Sequence, residues 1–161
     1  MNLQHAMRFP GGRKKAFTLS YDDCVTQDIP FIQMLRRLGL KATFNVNSGH
    51  LGQKDHIIRE GKRVEHDHVS EAEFKSLYEG FEVALHTVSH PSLTMLDNAQ
   101  ALCQVIQDKA ALERLAGYPV RGMAYPGGSY DARIIELLKL CGVRFCRVVE
   151  TTGDFSLPRE A

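Results

Sequence analysis

Residues 16–46 read AFTLSYDDCVTQDIPFIQMLRRLGLKATFNV, and the architecture follows from this stretch. The apolar run 16–20 predicts a first strand. Over 28–38, Ile32, Leu35 and Leu38 fall on one side, Pro30 stands in the first turn and Gly39 follows as a stop, which together mark a helix. Residues 42–46 are rich in β-branched and aromatic side chains and predict a second strand. Strand, helix and strand in succession point to an α/β domain with a largely parallel sheet.

The alternation continues outward. Residues 47–69 are polar with little periodicity and hold His50, His56, His66 and His68. They read as a long functional or mobile loop, its histidines mostly solvated. Ser70-Glu71-Ala72-Glu73 is a capping box opening a short helix that Gly80 closes. Further strands are expected over 82–85, 122–125 and 143–149. The longest helix should begin around Thr94 and Asp97, run to about Ala116 and stop at Gly117, and another should span 131–141 before Gly142. No internal repeat or low-complexity segment interrupts the pattern.

The chain has 161 residues, so one domain over 1–161 is expected. A formal charge of +1 gives no electrostatic case for nucleic acid or a membrane surface. Basic clusters such as Arg13-Lys14-Lys15 and Arg36-Arg37 are short and read as solvated faces. Residues 1–12 lack the apolar stretch of a signal peptide, so a cytoplasmic protein is expected. Cys24, Cys103, Cys141 and Cys146 show no Cys-x-x-Cys pairing. Cys103 and Cys141, within helical patterns, read as small core residues.

Asp22-Asp23, Asn45 to Asn47, His86 and Tyr125-Pro126 all fall at or just past the C-terminal end of an expected strand. In parallel α/β folds that edge binds ligands, so these clusters imply one site. Adjacent carboxylates leaving a strand repel each other unless a cation offsets the repulsion, although an Asp doublet before a helix also serves as a cap. His86 and His90 are four apart, and imidazoles at this spacing converge across one turn. Pro91 disfavours helix at His90 and favours a loop or a single turn. One carboxylate with two imidazoles makes a three-ligand set that leaves positions open, as catalytic metal sites do.

These residues carry a resemblance. Thr18 to Cys24 (TLSYDDC), His86 to His90 (HTVSH) and Ala124 to Gly128 (AYPGG) are similar, in order and spacing, to the first three motifs of the polysaccharide deacetylase family, carbohydrate esterase family four. The resemblance runs from Phe9 onward and implies a distorted (β/α) barrel with parallel strands. It further implies Asp22 as general base and Asp23, His86 and His90 as ligands of one divalent metal ion, zinc foremost among the transition metals. The Gly127 amide would help to hold the oxyanion, and Tyr125 and Pro126 would shape the acetyl pocket. The implied substrate is an N-acetylated, or secondarily O-acetylated, oligo- or polysaccharide.

The pattern departs from the family in three places. Cys24 stands where the family has glycine, a strained choice if positive φ is needed. Ala124 stands where the family often has an arginine that tunes the base, and Arg147 on the next strand could supply that charge. The family's last motif, leucine-x-histidine, supplies the acid that protonates the departing amine, yet no histidine follows His90. Residues 150–161 read as the approach to further strands, so a barrel incomplete at the C-terminus is expected. Its open edges would permit an oligomer. His66 and His68 are the histidines that could stand in for the acid. Two other readings stay open: a non-catalytic or impaired carbohydrate-binding domain, and a hydrolase of a small non-peptide amide.

Overall fold

The computed structural model describes residues 9–13, 15–151 and 153. The readings made for 1–8, Lys14 and 154–161 lie outside them. The chain builds β1 (Ser20–Asp22), α1 (Asp28–Leu38), β2 (Thr43–Val46), β3 (His56–Arg59), β4 (Lys62–Glu65), α2 (Glu71–Tyr78), β5 (Glu82–Leu85), α3 (Asn98–Ala116), β6 (Gly122–Ala124), α4 (Ala132–Leu140) and β7 (Phe145–Arg147). Five strands form one parallel sheet in the order β1-β2-β5-β6-β7, curled into a partial (β/α) barrel. No helix among the described residues is long and apolar enough to cross a membrane.

Local chemistry sets the helix ends. Ser70 and Asp97 each accept from the backbone N–H three residues on, and Glu73 and Gln100 return the bond, closing two capping boxes. Asp131 caps α4 through Ile134 N–H at 2.8 Å. Gly39 ends α1 at φ 64°, a conformation that costs a side-chain-bearing residue energy.

Alternation along the strands sorts side chains onto two faces. Phe44 faces the helices, where it meets Tyr78 at 5.1 Å and Phe81 at 5.6 Å between ring centroids. On the concave face stand Ser20, Asp22, Thr43, Asn45, Ala84, Gly122, Ala124, Phe145 and Arg147. A Cβ on Gly122 would sit 2.4 Å from the Phe145 ring, so only glycine lets that ring lie across the sheet.

Three expectations are corrected. The first strand begins at Ser20 rather than at 16, and Phe17 is exposed. Residues 47–69 are no irregular loop: β3 and β4 pair antiparallel about a tight turn at Glu60 (φ 51°) and Gly61 (φ 73°). Both strands are exposed on both faces, so no apolar alternation announces them. Cys103 is exposed, because α3 turns Ala101, Val105, Asp108 and Leu112 inward and Cys103 away.

Asp28, in the first turn of α1, is buried beside Tyr78, whose hydroxyl donates to Oδ2 at 2.7 Å. Burial pushes this carboxyl up to about 6, against the opposing effect of the Tyr78 bond. The folded state therefore holds this proton more tightly than the unfolded chain, and the group's contribution to stability falls as pH rises through the window from about 4 to 6. Relative to Asp28→Asn, the wild type should gain on the order of 1 kcal/mol between pH 7 and pH 5. Denaturant titrations at the two pH values test this, and a stability gap that does not move with pH would refute it.

Candidate metal centre

Asp22 ends β1, and the chain then turns through two left-handed residues, Asp23 at φ 75° and Cys24 at φ 50°. This turn swings Asp23 off the line of the strand, so the adjacent carboxylates take different places. Cys24 adopts the positive φ that glycine would take without strain. Its side chain is buried, with Sγ 3.9 Å from the Asn47 carbonyl, and burial pushes its thiol well up, which disfavours a thiolate.

His86 follows β5 directly. The loop 86–90 is not a helical turn. Thr87 at φ 67° and His90 at φ 59° fold it back, and Thr87 Oγ1 accepts from His90 N–H at 3.1 Å. The two imidazoles thereby come to 4.8 Å between ring centroids. Among the described residues, four of the five non-glycine residues with positive φ thus sit at this site. Strain of this kind persists where surrounding structure enforces it.

His86 is almost wholly buried, and one of its ring nitrogens is tied to the backbone. Nδ1 lies 2.8 Å from the Ala124 carbonyl, which can only accept, so Nδ1 carries the proton and Nε2 presents its lone pair. Burial lowers the proton affinity of this ring and favours the neutral, ligating form. Nε2 is 3.6 Å from Asp23 Oδ1, and His90 Nε2 is 3.8 Å from the same oxygen. Ligand atoms of Asp23, His86 and His90 all lie within 4.8 Å of one another. Their donor set of one carboxylate and two imidazoles suits zinc or a similar divalent ion. The burial is graded, with His86 at the bottom, Asp23 half-buried and His90 at the solvent rim.

Asp22 stands beside this set, its Oδ2 4.0 Å from His86 Nε2. Arg147 reaches across the concave face from β7, and its Nη2 contacts both Asp22 oxygens while Nε donates to Ser20 Oγ at 3.0 Å. Asn45 Nδ2 donates to Asp22 Oδ1 at 2.8 Å. Short residues on the intervening strands, Ala84, Gly122 and Ala124, leave the concave face clear for this reach. Gly127 is exposed in the turn after β6 at φ 63°. Pro126 is buried beside it. The Tyr125 side chain belongs to the core, stacked on Tyr130 at 5.1 Å and hydrogen-bonded to Cys146.

The structure adds Asp108, which sequence reasoning missed, and gives a part to Asn47, which that reasoning had placed at this edge. Asp108 on α3 is fully buried and accepts from Ser48 N–H at 2.9 Å and His86 N–H at 3.1 Å. Asn47 Nδ2 donates to the His86 carbonyl and, at 3.0 Å, to that of Thr87. Between them they clamp the loop after β2 to the loop after β5. A polar residue at a core position of α3 was the one signal available for Asp108. The structure also brings in His66, whose Nε2 is 4.0 Å from Asp23 Oδ2, the oxygen other than the one nearest His86 and His90.

The sequence profile described as polysaccharide deacetylase matches residues 10–146. The chain belongs to the polysaccharide deacetylase family. Solved structures of similar fold include a deacetylase from Streptococcus pyogenes in complex with acetate (20% identity, TM-score 0.67, covering 81% of this chain and 54% of that one). Another is IcaB from Ammonifex degensii (21% identity, TM-score 0.68, 81% and 58%). A third is a family-four carbohydrate esterase pseudoenzyme from Bacillus anthracis (16% identity, TM-score 0.62, 82% and 43%). The chain spans little more than half the length of the first two. No curated protein matches it.

Asp108→Ala removes the acceptor shared by Ser48 N–H and His86 N–H and loosens the joint between their loops, leaving His86 N–H on the Val46 carbonyl alone. Affinity for Zn²⁺ should fall about 10–100-fold, as when partners of metal ligands are lost. Competition with a chromogenic chelator measures it, with far-UV circular dichroism as a check on folding. A folded variant with unchanged affinity would show that the clamp does not position His86.

Proposed function

We propose that this chain removes acetyl groups from N-acetylated carbohydrate by hydrolysis at a centre built on Asp23, His86 and His90. The observation that carries the reading is the convergence of those three side chains with Asp22 alongside. A divalent cation held there would polarise the acetamide carbonyl and acidify water at neutral pH.

The protein's own groups supply the rest. Asp22 accepts the proton of the attacking water, and Arg147 and Asn45 fix its carboxylate so that it need not reorient during the reaction. His86 stays in the tautomer set by the Ala124 carbonyl. Solvent exposure at His90 and Gly127 makes that rim the side on which substrate arrives, with the Gly127 amide a donor for the developing oxyanion. Arg147 takes the place of the arginine that resemblance puts at position 124.

Acetate release from N-acetylglucosamine oligomers in the presence of Zn²⁺ tests the proposal. Asp22→Asn should retain Zn²⁺ affinity while acetate release falls on the order of 10²–10⁴-fold. His86→Ala should lose both. Full-rate hydrolysis by Asp22→Asn would sink the assignment of the base.

Arg147→Ala should lower kcat/KM by about 10–100-fold, with partial recovery in Arg147→Lys, which restores charge without the planar fork. Steady-state kinetics on the same oligomers read this, and wild-type kinetics in Arg147→Ala would remove Arg147 from the mechanism.

The pseudoenzyme among the structural neighbours favours a second reading, a carbohydrate-binding domain without catalysis. Oligomer binding with no acetate release by the Zn²⁺-loaded wild type would select it. Faster turnover of small amides than of oligomers would select the non-sugar hydrolase.

A further inference from the structure

A second group of imidazoles stands behind the centre. His50 closes the 3-10 turn after β2, and His66 and His68 lie on the segment that returns from the β3–β4 hairpin. The rings of His50 and His68 are 5.1 Å apart between centroids, and those of His66 and His68 are 5.2 Å apart. Two imidazoles sharing one tetrahedral zinc, with Zn–N bonds of about 2.0–2.1 Å, have ring centres roughly 5 Å apart. The His86–His90 pair, at 4.8 Å, shows the same spacing within this protein.

His68 is only 7% exposed, and its Nδ1 is buried with no hydrogen-bond partner. Buried polar atoms in native proteins nearly always have a partner, so this nitrogen calls for one. Packing alone would be served by an apolar side chain. The backbone around the three is fixed. His68 N–H donates to Gln53 O, Gln53 N–H to His50 O and Val69 N–H to Cys24 O, each at 2.9 Å.

We propose that His50, His66 and His68 form a second divalent-cation site of zinc-like preference, next to the first and separated from it by Asp23. Among the described residues only Asp23, His86 and His90 already have ligand atoms within mutual reach, so occupancy of the second site turns one or more of the three rings about its Cβ–Cγ bond. Asp23 would then face positive charge through both oxygens, Oδ1 toward the first centre and Oδ2 toward His66. An ion here would also fasten the loop after β2 to the chain that returns from the hairpin. The site is defined by its own residues and does not depend on the deacetylase reading.

The test is the metal stoichiometry of the chain, stripped with chelator, re-equilibrated with Zn²⁺ and measured by elemental mass spectrometry, with Co²⁺ absorption as a second readout. The wild type should bind two equivalents, and both His86→Ala and the His50→Ala/His68→Ala double variant should bind one. A wild type that binds one equivalent, or a double variant that still binds two, overturns the second site. If His86→Ala costs no equivalent while the double variant costs one, the second site stands and the proposed catalytic centre fails. Should the double variant misfold, His66→Gln replaces it, with the same loss of one equivalent expected and an unchanged count overturning the proposal.

Discussion

His86 is the fixed point of this molecule. In this almost wholly buried histidine Nδ1 donates to the Ala124 carbonyl, and Nε2 is left with its lone pair open toward Asp23, 3.6 Å away. That single bond to β6 decides the tautomer, the ring orientation and the direction of the free lone pair. His90, Asp23 and Asp22 are then placed relative to His86. The same bond explains why the third motif matters structurally, since the end of β6 is where His86 is anchored.

Around that point the chain concentrates strain and restrains it. Asp23, Cys24, Thr87 and His90 all hold positive φ without being glycine. Such residues relax unless neighbours hold them. After β5 the restraint comes from two buried polar side chains, Asp108 and Asn47, and at Asp23 and Cys24 it comes from backbone bonds to Asn45 and Val69. Asp108 keeps its place although burial pushes its carboxyl up to about 6. The Ser48 hydroxyl and the backbone N–H groups of Ser48, His86 and Thr87 work against that rise. A buried carboxylate serving several N–H groups is a rigid joint, and rigidity suits a site whose ligands must not shift by fractions of an ångström.

The concave face shows a division of labour across the sheet. Strands β5 and β6 carry the small residues Ala84, Gly122 and Ala124, while Asp22 stands on β1, Asn45 on β2 and Arg147 on β7. Because the sheet curls, the first and last strands of the order approach each other over that shallow floor, and the guanidinium spans the gap. A charge that the resemblance would place at position 124 arrives from the next strand instead. The guanidinium beside Asp22 comes from a different backbone address.

The sequence by itself determined the alternation of strands and helices, most helix ends and three side chains that meet at the site, Asp23, His86 and His90. Strand and helix periods, caps and stop glycines are local signals, as in Asp28–Leu38 followed by Gly39, and Asp-Asp and His-x-x-x-His are read directly from spacing. Tertiary structure alone decided what depends on distant segments meeting. The Arg147–Asp22 pair joins residues 125 apart in the chain, and Asp108 reaches His86 across 22. The β3–β4 hairpin escaped notice because strands exposed on both faces carry no burial pattern, and with it went the return path that gathers His66 and His68 beside Asp23. Local sequence encodes what a segment forms, whereas curl and register of the sheet encode which segments share a site.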